Sequence, residues 1–456
     1  MAKELSKFAH PDYVANLPTW TKIRDCYDGE RAIKSKGAIY LPRLTNQSEL
    51  DYSNYLGRAL FFPITGKTCS SMVGLATSKP PQISAPELMS RYFSDTDTTQ
   101  YQFTEFYLRA FNELVLQGRV GILIDAPADH VGDPEPVTYI AENIVNWREE
   151  RGQLTMVLLR EFVEVRKADD DFETGIECRY RHCFLRDGVY RQQLLDEDLK
   201  PVGGVITPTF SGVETDKIPF FCIGSTGVHM WVDKPPMQDI ATINISHYLT
   251  SADLEWGRHI VGLPTPVVSG VDAGTKLSIG GTAAWILPPA EAKAYYMEFL
   301  GQGLGSLEKA MTEKISLMSA MSARLVDSSS RGSEAAEAVR LRYVNEAASL
   351  IHIVGSMETG LNLVFNTISD LMLTSEVLIQ LPRDVLNAGL TFADMKVLFE
   401  AYFKGGISKE ALVYNLRRLE ALDPNRTDAQ ELAAIKDPTK IQPQTKPAAD
   451  PVGTTD

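Results

Sequence analysis

The sequence lacks long apolar runs and shows no regular cysteine pattern. No run reaches the roughly 18 apolar residues that a transmembrane helix needs, so no membrane-spanning segment is predicted. The first residues, MAKELSKFAHPDY, have no apolar core of the kind found in secretory signal peptides. Five cysteines, an odd number in a chain of 456 residues, predict reduced thiols in a cytosolic setting rather than a set of disulfides.

Positive charge is also scarce. The chain has 45 Lys and Arg against 59 Asp and Glu, a formal net charge of −14. This balance argues against a protein that grips nucleic acid through a basic face, because Lys and Arg supply the affinity for phosphates. It is compatible with a channel along which DNA slides, since tight phosphate binding would act as a brake. It is equally compatible with an ordinary acidic soluble protein.

No catalytic motif stands out. Gly66-Lys67-Thr68 suggests a phosphate loop, but Phe61 stands where that motif requires a glycine, so we read this segment as a helix that starts after Pro63. The glycines of Gly118-Arg119-Val120-Gly121 precede a strand instead of following it, so a dinucleotide would meet no helix N-terminus there, and Asp125 is interpreted as a turn residue. No catalytic residue and no cofactor are predicted.

One cluster of potential metal ligands is present. Cys178, His182 and Cys183 lie close together, and Cys222 and His229 are the remaining candidates for a second pair. A structural zinc site usually takes its four ligands as two close pairs, and no second close pair exists. We therefore predict no metal site and expect these residues on strands.

The length allows two or three domains, and the patterns indicate an α+β fold. Helices are predicted over residues 10–29, 50–78 (with a break at Pro63) and 101–117, with Gly118 ending the last one. AIYLP, residues 38–42, is predicted to be a short strand. Residues 118–225 predict a mixed or antiparallel sheet, and Asp187-Gly188 predicts a hairpin turn within it.

The centre of the chain has a distinct layout. Two helices, 237–260 and 304–326, flank a Gly- and Pro-rich insert, 261–303, that holds short strand-like runs. A polar break at 327–332 leads into a long helix that ends near residue 372, and shorter helices follow. The tail, residues 436–456, is predicted to be disordered. A small β module held out by two helices suits a projecting contact surface better than an active-site pocket.

A resemblance to the portal proteins of tailed bacteriophages is carried by PPMQDIATINISHYLTSADLEWGRHIVGLPTPVVSG and by GGTAAWILPPAEAKAYYMEFLGQGLGSLEKAMTEKISLMSAMSARLV. The segment HPDYVANLPTWTKIRDCYDGERAIKSKGAIYLPRL resembles the N-terminus of one branch of that family, and the resemblance extends over residues 9–422. It implies a portal-like fold with the following parts: a mixed α/β wing (1–236), a first stem helix (237–260), a clip (261–303), a second stem helix (304–326), a tunnel loop and long helix (327–372), a helical crown (373–435) and a disordered tail (436–456).

The resemblance also implies a function. Portal subunits form a ring, usually of about twelve copies, at the unique capsid vertex of the virion, after assembly in the host cytoplasm. The ring is a channel for packaging and ejecting double-stranded DNA, which it contacts without sequence specificity. Its expected partners are the terminase large subunit, the major capsid protein and a head-to-tail adaptor. ATP hydrolysis would belong to the terminase, so this chain is not expected to be an enzyme.

Residue roles follow from the same resemblance. The predicted DNA-channel residues are Lys309 and Lys314 on the second stem helix and Asp327, Ser328, Ser329, Ser330 and Arg331 in the tunnel loop. Lys309 and Lys314 are about 140° apart around an ideal helix, so at most one of them faces the channel. The predicted clip contacts to other subunits and to terminase are Trp285, Ile286, Lys276 and Asp272.

Two other functions remain open from the sequence. The first is a nucleotide-dependent enzyme that uses Lys67 in the Gly66-Lys67-Thr68 segment. The second is another structural ring protein, such as a head-to-tail adaptor, although such adaptors are usually much shorter chains.

Overall fold

A computed structural model describes residues 7–93, 103–126, 134–167, 170–263, 265–269, 293–297, 301, 303–326, 336–383, 392–418, 422 and 428–434. The fold is a mixture of helices and antiparallel strands, so the α+β class is confirmed. The chain divides into two compact units, Met1–Val385 and Leu386–Asp456. Within the described residues, no helix is both long enough and apolar enough to cross a membrane.

The first unit begins with helices. Their bounds are α1 Pro11–Asp28, α2 Glu30–Ser35, α3 Glu49–Arg58, α4 Ile64–Ala76, α5 Ser90–Phe93 and α6 Phe103–Gln117. The predicted helices over 10–29, 50–78 and 101–117 are confirmed, and the first is one continuous helix that contains Pro18. Helix α6 buries its aromatic face in the main core, and Gly118 ends it with a φ of 70°, a conformation that favours glycine.

The prediction of a strand at AIYLP is wrong. Residues Gly37–Ile39 form a 3-10 turn instead. Tyr40 and Leu41, the next two residues, are both buried, and the Tyr40 hydroxyl donates a hydrogen bond of 2.6 Å to Asp25. Burial of two consecutive side chains suits a turn that folds onto the core, whereas a strand would send them to opposite faces.

Residues 118–225 form two antiparallel sheets. Their strands are β2 Arg119–Asp125, β3 Glu135–Ile140, β4 Ile144–Glu150, β5 Gln153–Lys167, β6 Asp170–Arg186, β7 Val189–Leu195, β8 Pro201–Ile206 and β11 Phe220–Gly224. Strands β9 Thr209–Phe210 and β10 Val213–Glu214 form a separate small hairpin. Strand β1, Gln82–Ser84, lies earlier in the chain. One sheet has the order β11-β2-β3 and the other has the order β4-β5-β6-β7-β8. The predicted hairpin is confirmed: Asp187 and Gly188, between β6 and β7, have φ values of 55° and 76°.

The two edges of the five-stranded sheet differ. The N-terminal segment covers the β4 edge, because the His10 N–H donates to the Val145 carbonyl (3.0 Å) and the Asn146 side chain donates to the Phe8 carbonyl. At the opposite edge, every residue of β8 is exposed. The described part of the chain therefore leaves one edge of this sheet open.

Side chains of helix α9, Ala336–Leu371, form hydrogen bonds with the backbone of a neighbouring strand. Glu358, Asn362 and Asn366 lie four residues apart on α9 and accept the N–H groups of Leu381, Ile379 and Val377, each at 2.8 Å. Four residues of a helix rise about 6 Å and two residues of a strand about 6.7 Å, so the two spacings match. This amide ladder satisfies one side of strand β14, Leu378–Gln380, while β1 pairs with the other side.

The second unit is helical in its described residues, with α10 Phe392–Phe403, α11 Lys409–Arg418 and α12 Asp428–Ala434. Ser408 caps α11, since its hydroxyl accepts the Ala411 N–H at 3.1 Å. The tail predicted from residue 436 lies outside the described residues.

Candidate functional site

The centre of the chain forms a helix–hairpin–helix module. Helix α7, Gln238–Val261, leads to strand β12, Thr265–Ser269, and strand β13, Lys293–Met297, leads to helix α8, Leu304–Val326. The two strands pair antiparallel, with Val267 opposite Tyr295. The helices predicted over 237–260 and 304–326 are confirmed, and the insert between them contains strands as expected.

Local sequence sets the ends of these helices. The Pro235 carbonyl accepts the Gln238 N–H at the start of α7, and the Gly262 N–H returns to the Arg258 carbonyl (2.9 Å) at its end. Gly301, with a φ of 62°, turns the chain into α8 and accepts the Leu304 N–H. A Cβ on Gly257 would lie 2.5 Å from Leu304 Cδ2, so the end of α7 and the start of α8 approach too closely for a larger residue.

Charged contacts fix α7 and α8 as an antiparallel pair. Arg258 on α7 donates to Glu308 on α8 at 2.7 Å. About two turns farther along α8, the Lys314 ammonium donates to the Ser246 carbonyl (2.9 Å) and to the Thr250 hydroxyl, earlier on α7. The later residue of α8 thus contacts earlier residues of α7, as expected for two antiparallel helices.

The structure separates the two lysines predicted for the channel. Lys309 is exposed, whereas Lys314 is half-buried against α7, where desolvation lowers the pKa of its ammonium group. The two side chains therefore point in different directions, as their spacing predicted. Lys314 ties the helices together, and Lys309 is the one whose side chain faces outward.

The other predicted site residues cannot be placed. Those of the predicted tunnel loop and clip lie outside the described residues: Asp327, Ser328, Ser329, Ser330, Arg331, Asp272, Lys276, Trp285 and Ile286. Their roles stay predictions.

Polar side chains anchor α7 in the body of the first unit. Buried Asn244 accepts the Thr65 hydroxyl at 2.9 Å and donates to the Phe62 carbonyl at 2.8 Å. Farther along α7, Asp253 accepts the Tyr55 hydroxyl at 2.6 Å. The sequence analysis did not single out these residues, because a polar residue on a helix looks the same whether it faces solvent or a neighbouring loop.

A buried histidine lies at the same contact. His247 on α7 is 3% exposed, and in the described structure neither of its ring nitrogens has a hydrogen-bond partner. The Phe62 ring lies 6.1 Å away, centroid to centroid. Burial, and to a smaller extent the charge of Lys314, lowers the pKa of His247, so the ring is neutral at neutral pH.

The Gly66-Lys67-Thr68 segment does not have the geometry of a phosphate loop. It lies inside helix α4, which starts after Pro63 as predicted, and the Thr65 N–H donates to Asn244 instead of being free for an anion. The Lys67 ammonium lies 5.6 Å from the centre of the Phe62 ring. An open groove of about 590 Å³ borders this turn, lined by Tyr27, Pro63, Gly66, Lys67, Ser70 and Ser71.

Four of the five candidate metal ligands lie on strands, as predicted, but His229 lies in the segment after β11 and not on a strand, so the prediction is wrong for that residue. Cys178, His182 and Cys183 belong to β6, and Cys222 belongs to β11. Burial raises the pKa of the Cys183 thiol to about 12, so this side chain is a neutral core residue. Within the described residues, no group of three or more His, Cys, Asp or Glu side chains is arranged to hold a metal ion.

Two ion-pair networks went unrecognised in the sequence. Arg181 donates to Asp125 (3.0 Å) and to Glu161 (2.7 Å). Asp125 is the last residue of β2 and lies opposite Glu135, so its interpretation as a turn residue is wrong. Arg24 on α1 binds Glu113 and Glu142 through paired hydrogen bonds, and these partners lie 89 and 118 residues away in the chain. Partners so distant leave no pattern that spacing could reveal.

Comparisons with known proteins found a family model and solved structures that match. Residues 236–372 match a family model described as a domain of unknown function, DUF4055. Among solved structures, the chain is similar to one described as the neck of an empty GTA particle computed with C6 symmetry, with 13% identity and a TM-score of 0.40, over 87% of this chain and 99% of that chain. No curated protein matches. The family match begins just before α7 and ends just after α9, so it spans the helix–hairpin–helix module and the long helix that follows.

Proposed function

We propose that this chain is a portal subunit of a tailed bacteriophage or a related particle. Copies of the chain form a ring at one vertex of the capsid, and double-stranded DNA passes through the central channel during packaging and ejection. The ring provides the docking site for terminase, the head-to-tail adaptor and the major capsid protein. The chain itself carries out no chemical step.

The helix–hairpin–helix module is the observation that carries this proposal. Two long antiparallel helices, α7 and α8, are joined at one end by a segment that includes the β12–β13 hairpin. Asn244 and Asp253 anchor α7 in the body of the first unit. The segment with this layout is also the segment whose sequence resembles the stem and clip of portal proteins.

Charge on the module suits a DNA channel without tight binding. Arg258 is neutralised by Glu308 and Glu255, and Lys314 is turned into the contact with α7, while Lys309 is exposed. Among the described residues of α7 and α8, Lys309 is the exposed lysine, so a ring would carry one layer of positive charge at its level. A net charge of −14 on each chain keeps the affinity for phosphates low, so DNA can slide.

The test is electron microscopy of the purified full-length chain, with class averages viewed down the symmetry axis. Rings of about a dozen copies around an open hole are expected. Small closed oligomers that lack a central channel would contradict the proposal.

One substitution tests the predicted clip. Trp285 and Ile286 lie between Gly280-Gly281 and Pro288-Pro289, and we expect them to pack clip subunits together. Trp285→Ala should lower the yield of rings, because an aromatic side chain contributes strongly to a protein interface. Trp231→Ala is the control, since Trp231 is exposed and lies outside the clip. A ring yield equal to that of the unsubstituted chain would rule out the role of Trp285.

The enzyme alternative has a direct test of its own. A phosphate-loop enzyme needs free backbone N–H groups at the turn before the helix, and the Thr65 N–H is already bound to Asn244. Calorimetric titration of the purified chain with Mg-ATP should therefore show no binding. Binding that is lost in Lys67→Ala would favour the enzyme.

A further inference from the structure

The geometry points to a contact between copies in which the β5–β6 ribbon of one chain packs against the open β8 edge of the next. The ribbon consists of residues 160–165 and 174–179, and the receiving surface consists of residues 201–213. The inference rests on the proposed ring, and it names the surfaces through which neighbouring copies meet.

The ribbon extends beyond the rest of its sheet. Strand β4 pairs with β5 only as far as Leu159, and β7 pairs with β6 only from Tyr180 onward. Past these residues β5 and β6 pair with each other alone among the described strands, through Arg166 opposite Thr174. A two-stranded ribbon alone in water is marginally stable, because it has no other element on which to bury its side chains.

The ribbon presents apolar side chains to solvent. Phe162 is 59% exposed and Ile176 is 78% exposed. Phe162 lies opposite Cys178, and Ile176 lies opposite Glu164, so both apolar side chains are on one face of the ribbon. Closer to the sheet, the same face carries Leu158 and Tyr180, which are buried. Phe162 and Ile176 therefore extend the buried apolar face of the sheet into solvent.

Charge on the ribbon is largely compensated within the chain. Glu161 is paired with Arg181 at 2.7 Å, and Glu177 with Arg179 at 3.0 Å. The Arg160 guanidinium lies 5.5 Å from the Phe162 ring centre. The face with Phe162 and Ile176 also carries Arg160 and the exposed Glu164, whose opposite charges give it no net charge to attract a nucleic acid. Its exposed apolar groups favour an apolar protein surface as the partner.

The chain itself contains a surface of the matching kind. Residues 201–213 include no charged side chain, in a chain that is 23% charged. Val202, Val205, Ile206 and Val213 are all exposed there. Strand β8 also leaves its outer backbone groups open, and edges of this type are normally protected by charges or by a covering segment. The opposite edge of the sheet has such a cover, the segment Phe8–His10.

The occupant is therefore a second copy of this chain. A closed ring of identical copies needs two different surfaces on each copy, one that projects and one that receives. The ribbon and the β8 edge are two such surfaces, because both expose apolar side chains and the β8 edge has no charged residue. Because each copy would use one of each, every ribbon and every edge is covered once the ring closes.

Photo-crosslinking of the full-length chain tests the contact. Benzoylphenylalanine replaces Phe162, and the chain is mixed with an isotope-labelled copy so that mass spectrometry separates crosslinks between chains from those within one chain. The expected product joins position 162 of one chain to residues 201–213 of another. The same probe at Leu50, an exposed residue on α3, is the control and should give no such product.

Substitution tests the same contact by assembly. Phe162→Ser combined with Ile176→Ser, and separately Val205→Asp, should each raise the protein concentration at half-maximal ring formation at least tenfold, while Leu50→Ser should leave it unchanged. Circular dichroism identifies any variant that fails to fold, and the crosslinking result then decides alone. Rings that form without the crosslink and at unchanged concentration overturn this inference but leave the portal proposal standing. A chain that forms no ring and no product between chains removes both.

Discussion

Two glycines on helix α9 allow its packing against the three-stranded sheet to be tested by matched substitutions. A Cβ on Gly360 would lie 2.3 Å from Cδ1 and 2.5 Å from Cγ1 of Ile223, a fully buried residue of β11. A Cβ on Gly355, five residues earlier on the same helix, would have no atom within 4 Å. Alanine at the two positions therefore has the same effect on helix propensity, but only alanine at 360 overlaps a neighbouring side chain.

The expected free energies follow from these distances. Replacing glycine by alanine inside a helix stabilises it by about 1 kcal/mol. Gly355→Ala should therefore raise the free energy of unfolding by up to about 1 kcal/mol. At Gly360 the overlap with Ile223 costs about 1–3 kcal/mol. Gly360→Ala should thus lower the free energy of unfolding by up to about 2 kcal/mol once the propensity gain is included.

Equilibrium urea unfolding of both variants, followed by tryptophan fluorescence, provides the measurement. The double variant Gly360→Ala, Ile223→Ala isolates the overlap, because alanine at 223 removes the atoms that the new Cβ would meet. Its destabilisation should be smaller than the sum of the single effects by about 1–3 kcal/mol. Equal stabilisation by Gly355→Ala and Gly360→Ala would refute the close packing of α9 on β11.

Three further substitutions test buried polar contacts. Arg24→Met should lower the free energy of unfolding by about 3–5 kcal/mol, because the buried Glu142 and the partly buried Glu113 both lose their charged partner. Urea unfolding measures the loss, and a change within about 1 kcal/mol would contradict it. The folded-state pKa of His247 lies below its ordinary value near 6.5, so the unfolded chain binds more protons and the free energy of unfolding falls as pH drops below about 6.5. His247→Leu should reduce this loss of stability in unfolding experiments between pH 7 and pH 5. An unchanged pH profile would refute the lowered pKa of His247. Asn362→Leu leaves the N–H and the carbonyl of Ile379 on strand β14 without their side-chain partner, so the free energy of unfolding should fall by about 1–3 kcal/mol. Hydrogen exchange of the Ile379 amide should also accelerate. An exchange rate equal to that of the unsubstituted chain would count against the ladder.

Local patterns predicted the elements whose signals are contained in a few neighbouring residues. The amphipathic spacing of α6 with Gly118 behind it, the Asp187-Gly188 turn, and the proline and glycine stops around α7 all place their elements correctly. Each of these signals acts through the backbone of the residues that carry it. The bounds of α8 were predicted for the same reason, since Gly301 and Gly303 stand just before it.

Features that depend on distant partners were missed. Tyr40 belongs to a turn because it reaches Asp25, and strand β14 exists because α9 offers side-chain amides to it. The division of residues 118–225 into two sheets was also not predicted, because alternation of apolar residues marks strands without saying which strands pair. In the candidate site, spacing separated Lys309 from Lys314, but only the position of α7 decides that Lys314 is the one turned inward.

The amide ladder on α9 has a mechanical consequence. Glu358, Asn362 and Asn366 bind three successive alternate residues of the strand, so a pull directed along that strand would act across all of these bonds. Bonds perpendicular to the pull are loaded together in shear, and they must break at the same time instead of one after another. In the proposed portal ring, force from packaged DNA would load the bonds of this ladder together.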